Sequence, residues 1–224
     1  MCGIFGVLSD RPIEPARFIH LGERNTERGN LGFGGLTWSP AQASPRVFRY
    51  STPFDPSKLA LDGVHRALGH VRAPTGGQSD RIAEIHPFAS RDVLLAHNGL
   101  LINHADFPDW RLDPALQVDS QVIAGGIQHH LDAGFTPVGA IRATVEHLDG
   151  QQACWLWHLP TKAVYLWRVM APVYVSNGPD WLNFSSVRDD LAQNLIEEGI
   201  IYRLELLSFV DVGSFTFYNP FKVG

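Results

Sequence analysis

The chain opens on an uninterrupted apolar run, residues 3–8 (Gly-Ile-Phe-Gly-Val-Leu), which reads as a buried strand. A strand that begins at the third residue ties the terminus into a core, so the remaining chain has to be built around it. Ahead of the run stand Met1 and Cys2. A small residue in second place is the usual signal for removal of the initiator methionine, and removal would leave Cys2 with both a thiol and a free α-amine. Such an amine has an ordinary pKa of about 7.7–8.0, so near neutral pH a useful fraction can take a proton from the adjacent thiol. Nucleophile and base are then supplied by one residue. A cysteine at position two carries little by itself, and the rest of the chain has to supply the other groups this chemistry needs.

At 224 residues, 45% hydrophobic and 18% charged, the chain has enough apolar side chains for a sizeable core without crosslinks. Its two cysteines, Cys2 and Cys154, make no disulfide framework. Nothing in the sequence reads as a signal peptide or a membrane span, so a cytoplasmic protein is expected. A formal net charge of -5 with no Lys/Arg run argues against nucleic acid or an anionic membrane as partner. The only lysines are Lys58, Lys162 and Lys222; the many arginines suit bidentate recognition of carboxylates.

Residues 12–24 place Phe18, Ile19 and Leu21 on a helical pattern, with Pro15 tolerated in the first turn. A glycine-rich stretch, residues 28–38, leads into a strand and lacks the lysine of a phosphate loop. Strand-like segments at 46–50 and 66–71 flank a loop and short helix over 51–62. A short strand at 92–96 runs into His97-Asn98-Gly99. Helices are predicted over 119–132, with Asp119 or Ser120 as N-cap and Gly134 as the stop, and over 136–150. Beyond Gln152 the pattern is almost all β, with strands at 153–159, 163–169, 172–175 and 181–184, and turns at Pro160-Thr161 and Asn177-Gly178. A helix at 187–198 and strands at 200–207 and 213–218 complete the expectation. Without repeats or linkers, this order fits one domain over residues 1–224, with strands in two layers and helices outside.

Three polar clusters follow Cys2 in order: residues 70–77 (His-Val-Arg-Ala-Pro-Thr-Gly-Gly), His86-Pro87 leading to His97-Asn98-Gly99, and Asp119-Ser120. With Met-Cys-Gly-Ile at the front and Arg28-Gly29 behind it, this order and spacing resemble the class II glutamine amidotransferases, whose glutaminase domains are N-terminal nucleophile hydrolases. The resemblance runs the length of the chain. It implies an α+β fold, a four-layer αββα sandwich of two mainly antiparallel sheets flanked by helices. It also implies that Cys2 is the nucleophile and that Asn98 and Gly99 form the oxyanion hole. By the same resemblance Arg72, with Thr75 and Gly76, takes the α-carboxylate of glutamine, and Asp119 takes its α-ammonium. His86 would support the glutamine pocket. A cation for the anion and an anion for the cation is the complementarity this zwitterion requires.

Other readings of these residues stay open at the level of sequence. Asn98-Gly99 is also the common dipeptide of a type I′ turn, and Asp119 could serve simply as a helix cap. Cys154-Trp155 has the look of a papain-like pair, but only His158 lies downstream. His129-His130 are adjacent on a predicted helix and no histidine pair has zincin spacing, so neither a catalytic metal nor another cofactor is expected. Family members usually carry a second domain that consumes the ammonia, and none is recognisable by Gly224. The expected role is therefore a glutaminase that supplies a separate synthase or transferase. The alternatives are a stand-alone amidase acting on another γ-glutamyl amide, and a catalytically silent regulatory or binding subunit.

Overall fold

The computed structural model of the protein describes residues 2–73, 81–205 and 208–217. In chain order, strand β1 (Gly3–Ser9) is followed by helix α1 (Pro15–Asn25), β2 (Gly32–Trp38), β3 (Arg46–Tyr50) and β4 (Arg66–Arg72). Then come β5 (Phe88–Ala89), β6 (Val93–Leu101), α2 (Ser120–Asp132) and α3 (Pro137–Val145). The last third holds β7 (Gly150–His158), β8 (Ala163–Val169), β9 (Tyr174–Asn177), β10 (Trp181–Ser185), β11 (Asn194–Leu195), β12 (Ile200–Glu205) and β13 (Ser208–Ser214). Among the described residues these strands form two sheets, in the orders β11-β9-β10-β1-β4-β2-β3 and β13-β12-β8-β7-β6-β5. Every pairing between neighbours in the two sheets is antiparallel.

The opening apolar run has the predicted fate. All seven residues of β1 are buried, and the strand lies inside its sheet with β4 on one side and β10 on the other. Between the sheets, Ile4, Leu8, Leu36, Leu68 and Phe184 meet Leu94, Trp155, Trp157 and Leu166. Each fully buried indole removes on the order of 200 Å² from water, a gross gain of about 5 kcal/mol. The Trp155 N–H is not stranded by that burial, since Nε1 donates to the Gly69 carbonyl in the facing sheet at 3.0 Å. On the outer face of the first sheet, Phe18 and Leu21 of α1 pack with Phe5, Val7 and Phe33. On the outer face of the second, Val122, Ile123 and Ile127 of α2 and Ile141 and Val145 of α3 cover Leu95, Leu156 and Trp167. The layers are therefore helix, sheet, sheet, helix, the αββα sandwich expected from the sequence.

Several elements depart from their predicted bounds. Strand β6 continues through Asn98-Gly99 to Leu101, because β7 pairs with it as far as Leu101↔Gly150; the dipeptide is not a turn. Helix α3 stops at Val145 and Gly150 begins a strand. Residues 187–198 form no helix. Their amides are claimed elsewhere: Leu191 N–H donates to the Asp189 side chain, Gln193 N–H to Ser176 Oγ, and Ile196 N–H to the Val173 carbonyl. Aspartate competes in this way with helical bonding. The last described strand starts at Ser208 and ends at Ser214, earlier than predicted. Residues 206–207 and 218, included in the predicted strands, lie outside the described residues. Among the described residues no helix is long and apolar enough to cross a membrane.

Candidate active site

Cys2 stands immediately before β1 and is 7% exposed. Two separate segments fix it. Its thiol donates to the Ala73 carbonyl and accepts from the Ala73 N–H, each at 3.4 Å. Arg28 Nε donates to the Cys2 carbonyl at 2.8 Å. Ala73 can come this close because Gly29 faces it; a β-carbon on Gly29 would stand 2.4 Å from the Ala73 Cβ. The Arg28-Gly29 step of the sequence is thus a clamp, with the arginine on the backbone of the nucleophile and the glycine making room for the strand end beside its sulfur.

Burial pushes the Cys2 thiol above its ordinary value, and nearby Asp119 adds to this. The Ala73 amide and the Arg72 charge act the other way and favour the thiolate. The resting group is a thiol, and it needs a nearby base to become a nucleophile.

Cys2, Arg72, His86, Gly99 and Asp119 line one small cleft, with Ala73, His97, Val118 and Ser120 completing its walls. The cleft lies where the start of β1 and the end of β4 in the first sheet face the later part of β6 and the start of α2. Thr75 and Gly76 lie outside the described residues. Asn98 is fully buried behind the cleft rather than among its lining, and its Nδ2 donates to Ser186 Oγ at 3.1 Å. The same Ser186 hydroxyl accepts from Ile4 N–H at 3.1 Å, so one oxygen ties Asn98 to the strand that carries Cys2. Gly99 cannot be another residue here. A β-carbon would fall 1.9 Å from the Gln151 carbonyl oxygen and 2.5 Å from His97 Nε2.

Asp119 precedes α2 but makes no side-chain cap to it. Its Oδ2 instead accepts from Leu101 N–H at 2.8 Å, at the end of β6. Ser120 Oγ lies 3.2 Å from Asp119 Oδ1 and 2.9 Å from His97 Nδ1, and His97 Nε2 lies 3.0 Å from the Gln151 carbonyl. That carbonyl can only accept, so Nε2 carries a proton. The capping role open at sequence level is therefore replaced by a bridge between helix and strand that leaves Asp119 on the cleft wall.

His86, on the cleft wall, packs at a tilt against His70, with ring centroids 3.9 Å apart. Both are fully or almost fully buried, and among the described residues none of their four ring nitrogens has a hydrogen-bond partner of normal geometry. Burial above all, with neighbouring positive charge second, pushes His70 down to about 3 and His86 well below its ordinary value. Both rings are thus neutral when folded, while an unfolded chain takes up protons below about pH 6.5. The stability they contribute is complete above that pH and is lost as pH falls towards 3 for His70. Unfolding free energy should drop by about 1.4 kcal/mol per pH unit for each ring in that window. Denaturant titrations from pH 7 to pH 4 check this, and His70→Phe should remove one ring's share of the slope. An unchanged slope in that variant, if folded, contradicts the assignment.

Among the described residues no group of three or more His, Cys, Asp or Glu side chains could hold a metal ion. Of the residues singled out in the sequence, Cys2, Arg72, His86, Gly99 and Asp119 line the cleft, while the groups that hold them were missed. Ser186 gave no signal, being a small polar residue after a strand. Glu84, bonded to Arg72, gave a faint one as the only charge in the stretch Ile82-Ala83-Glu84-Ile85.

No protein-family model matches the chain. It is 27% identical over 186 residues, 80% of its own length, to glutamine–fructose-6-phosphate aminotransferase (isomerizing) of Halobacterium salinarum. It is 30% identical over 159 residues, 67% of its length, to the enzyme of that name from Xylella fastidiosa. The chain spans 30% and 25% of these relatives. Among solved structures, the glutamine phosphoribosylpyrophosphate amidotransferase of B. subtilis matches 94% of the chain and 49% of its own, with TM-score 0.73 and 18% identity. A glutamine aminotransferase class-II domain protein from Silicibacter pomeroyi matches 94% of the chain and 99% of its own, with TM-score 0.61 and 16% identity. At these identities the structures speak to fold, and they carry the same architecture.

Proposed function

We propose, on the premise that this chain is a class II glutamine amidotransferase domain by homology and fold, that Cys2 hydrolyses the side-chain amide of glutamine and releases ammonia for an acceptor domain or subunit. The observation that carries the reading is the convergence of Cys2, Arg72, Gly99 and Asp119, from four distant segments, on one cleft.

Once Met1 is removed, the Cys2 amine, directly or through a water, accepts the thiol proton. The thiolate attacks the carbonyl carbon of the glutamine side-chain amide, and the carbonyl oxygen becomes an oxyanion. The Gly99 N–H and the second N–H of the Asn98 amide, the one not given to Ser186, supply donors for that charge, each worth about 3–4 kcal/mol in a dry, prearranged site. The C–N bond breaks as the Cys2 ammonium returns its proton to the leaving nitrogen, giving ammonia and a glutamyl thioester. Water then adds to the thioester, and glutamate leaves with the thiol restored. Arg72 holds the α-carboxylate and Asp119 the α-ammonium, so that the reacting amide reaches Cys2 in one orientation.

The test is labelling with 6-diazo-5-oxo-norleucine, which presents a glutamine-like group to a reactive thiol. Peptide mass spectrometry should find one adduct, on a Cys2 that is the first residue of the protein. Failure to label protein lacking Met1, or labelling at Cys154 instead, overturns the reading.

A further inference from the structure

Arg72 already binds a carboxylate that belongs to the protein. Its Nη2 donates to Glu84 Oε2 at 2.9 Å, and the two side chains are 4% and 1% exposed. Arg81 Nη1 stands 3.7 Å from the other oxygen of the same carboxylate. Glu84 ends the single turn of 3-10 helix Ile82–Glu84, two residues before His86, whose ring lines the cleft. A carboxylate this deeply buried is tolerated only beside a compensating cation, and here that cation also faces the nucleophile.

The side chain of an arginine has four rotatable bonds, and its planar fork discriminates carboxylates only when its plane is fixed. Ala73 follows Arg72 directly and is the residue bonded to the Cys2 sulfur, so the arginine backbone is already anchored. What remains is the guanidinium, and Glu84 holds it. We infer that Glu84 is the positioning residue that sets Arg72 for the substrate α-carboxylate, and that through Arg72 it makes the site select the free amino acid over amides lacking that group. This rests on the reading that Arg72 meets the α-carboxylate of glutamine.

The measurement is a ratio. Glutamine and 4-aminobutanamide, which is glutamine without its α-carboxylate, are compared by kcat/KM in the wild-type protein and in Glu84→Gln. With the pair broken, KM for glutamine rises roughly 10–100-fold, the size expected when one charge-assisted hydrogen bond is lost. The kcat for either amide changes far less, and the preference for glutamine shrinks by the same factor as KM rises. Glu84→Asp keeps the charge on a shorter arm, and it should give an intermediate ratio; it also reads the effect if Glu84→Gln does not fold. A merely structural glutamate would lower activity on both amides together. A wild-type preference that survives intact in either folded variant overturns the role of Glu84. A wild-type protein that hydrolyses both amides equally overturns the Arg72 assignment, and the inference with it.

Discussion

Cys2→Ala should lower glutamine hydrolysis by at least about 10⁴-fold, because covalent catalysis is lost together with the only thiol in the cleft. Folding should survive. Among the described residues the hydrogen bonds of the sulfur are the two of 3.4 Å with Ala73, while the backbone of residue 2 keeps its bond from Arg28. Cys2→Ser keeps the amine but supplies a far less acidic hydroxyl, and it should be nearly as inactive. Glutamate release, thermal unfolding and intact mass of the same preparations check this. Activity above about one per cent in Cys2→Ala protein shown to lack Met1 would refute a cysteine nucleophile.

Gly99→Ala should damage fold and chemistry at once. The added carbon would lie 1.9 Å from the Gln151 oxygen, inside the ladder where Gly99 opposes Gln152. Neither backbone can yield without opening β6 from β7, and a destabilisation of about 3 kcal/mol or more is expected. For a chain of this size that corresponds to a fall in Tm of roughly 6–12 °C. Any opening shifts Gly99 on the cleft wall it shares with Cys2, and on the proposed oxyanion role of its N–H kcat should fall by about 10²-fold or more at temperatures where the variant is still folded. A variant with wild-type Tm and wild-type kcat would show that β6 relaxes freely here and that the Gly99 amide has no part in the reaction.

The parts of the fold that could be read from sequence are those whose patterning is local. Strand β8 was expected over residues 163–169 and spans Ala163–Val169, because its apolar run is bounded by the Pro160-Thr161 turn. The helix expected at 187–198 failed because Asp189 and Ser176 compete for its amides, one from within the segment and one from β9. Asn98-Gly99 was ambiguous as a dipeptide, and only the partner strand β7 decides that it lies in a ladder. In the site, Arg72 and Asp119 could be singled out as charges able to bind a zwitterion. Their protein partners could not. Glu84 and Arg72 meet through the fold rather than through spacing, and the bond from Leu101 N–H to Asp119 joins a strand end to a helix start. A resemblance transfers the groups that face the substrate more readily than the groups that hold them.

Strand β1 lies between β4 and β10, with Phe5 paired to Gly69 on one side and to Ser185 on the other. Strand β1 is therefore fully paired only when a strand from far along the chain has joined it. With both neighbours in place, Cys2 is 7% exposed and clamped by Arg28 and Ala73. The setting of Cys2 thus depends on long-range pairing as well as on the strand it opens.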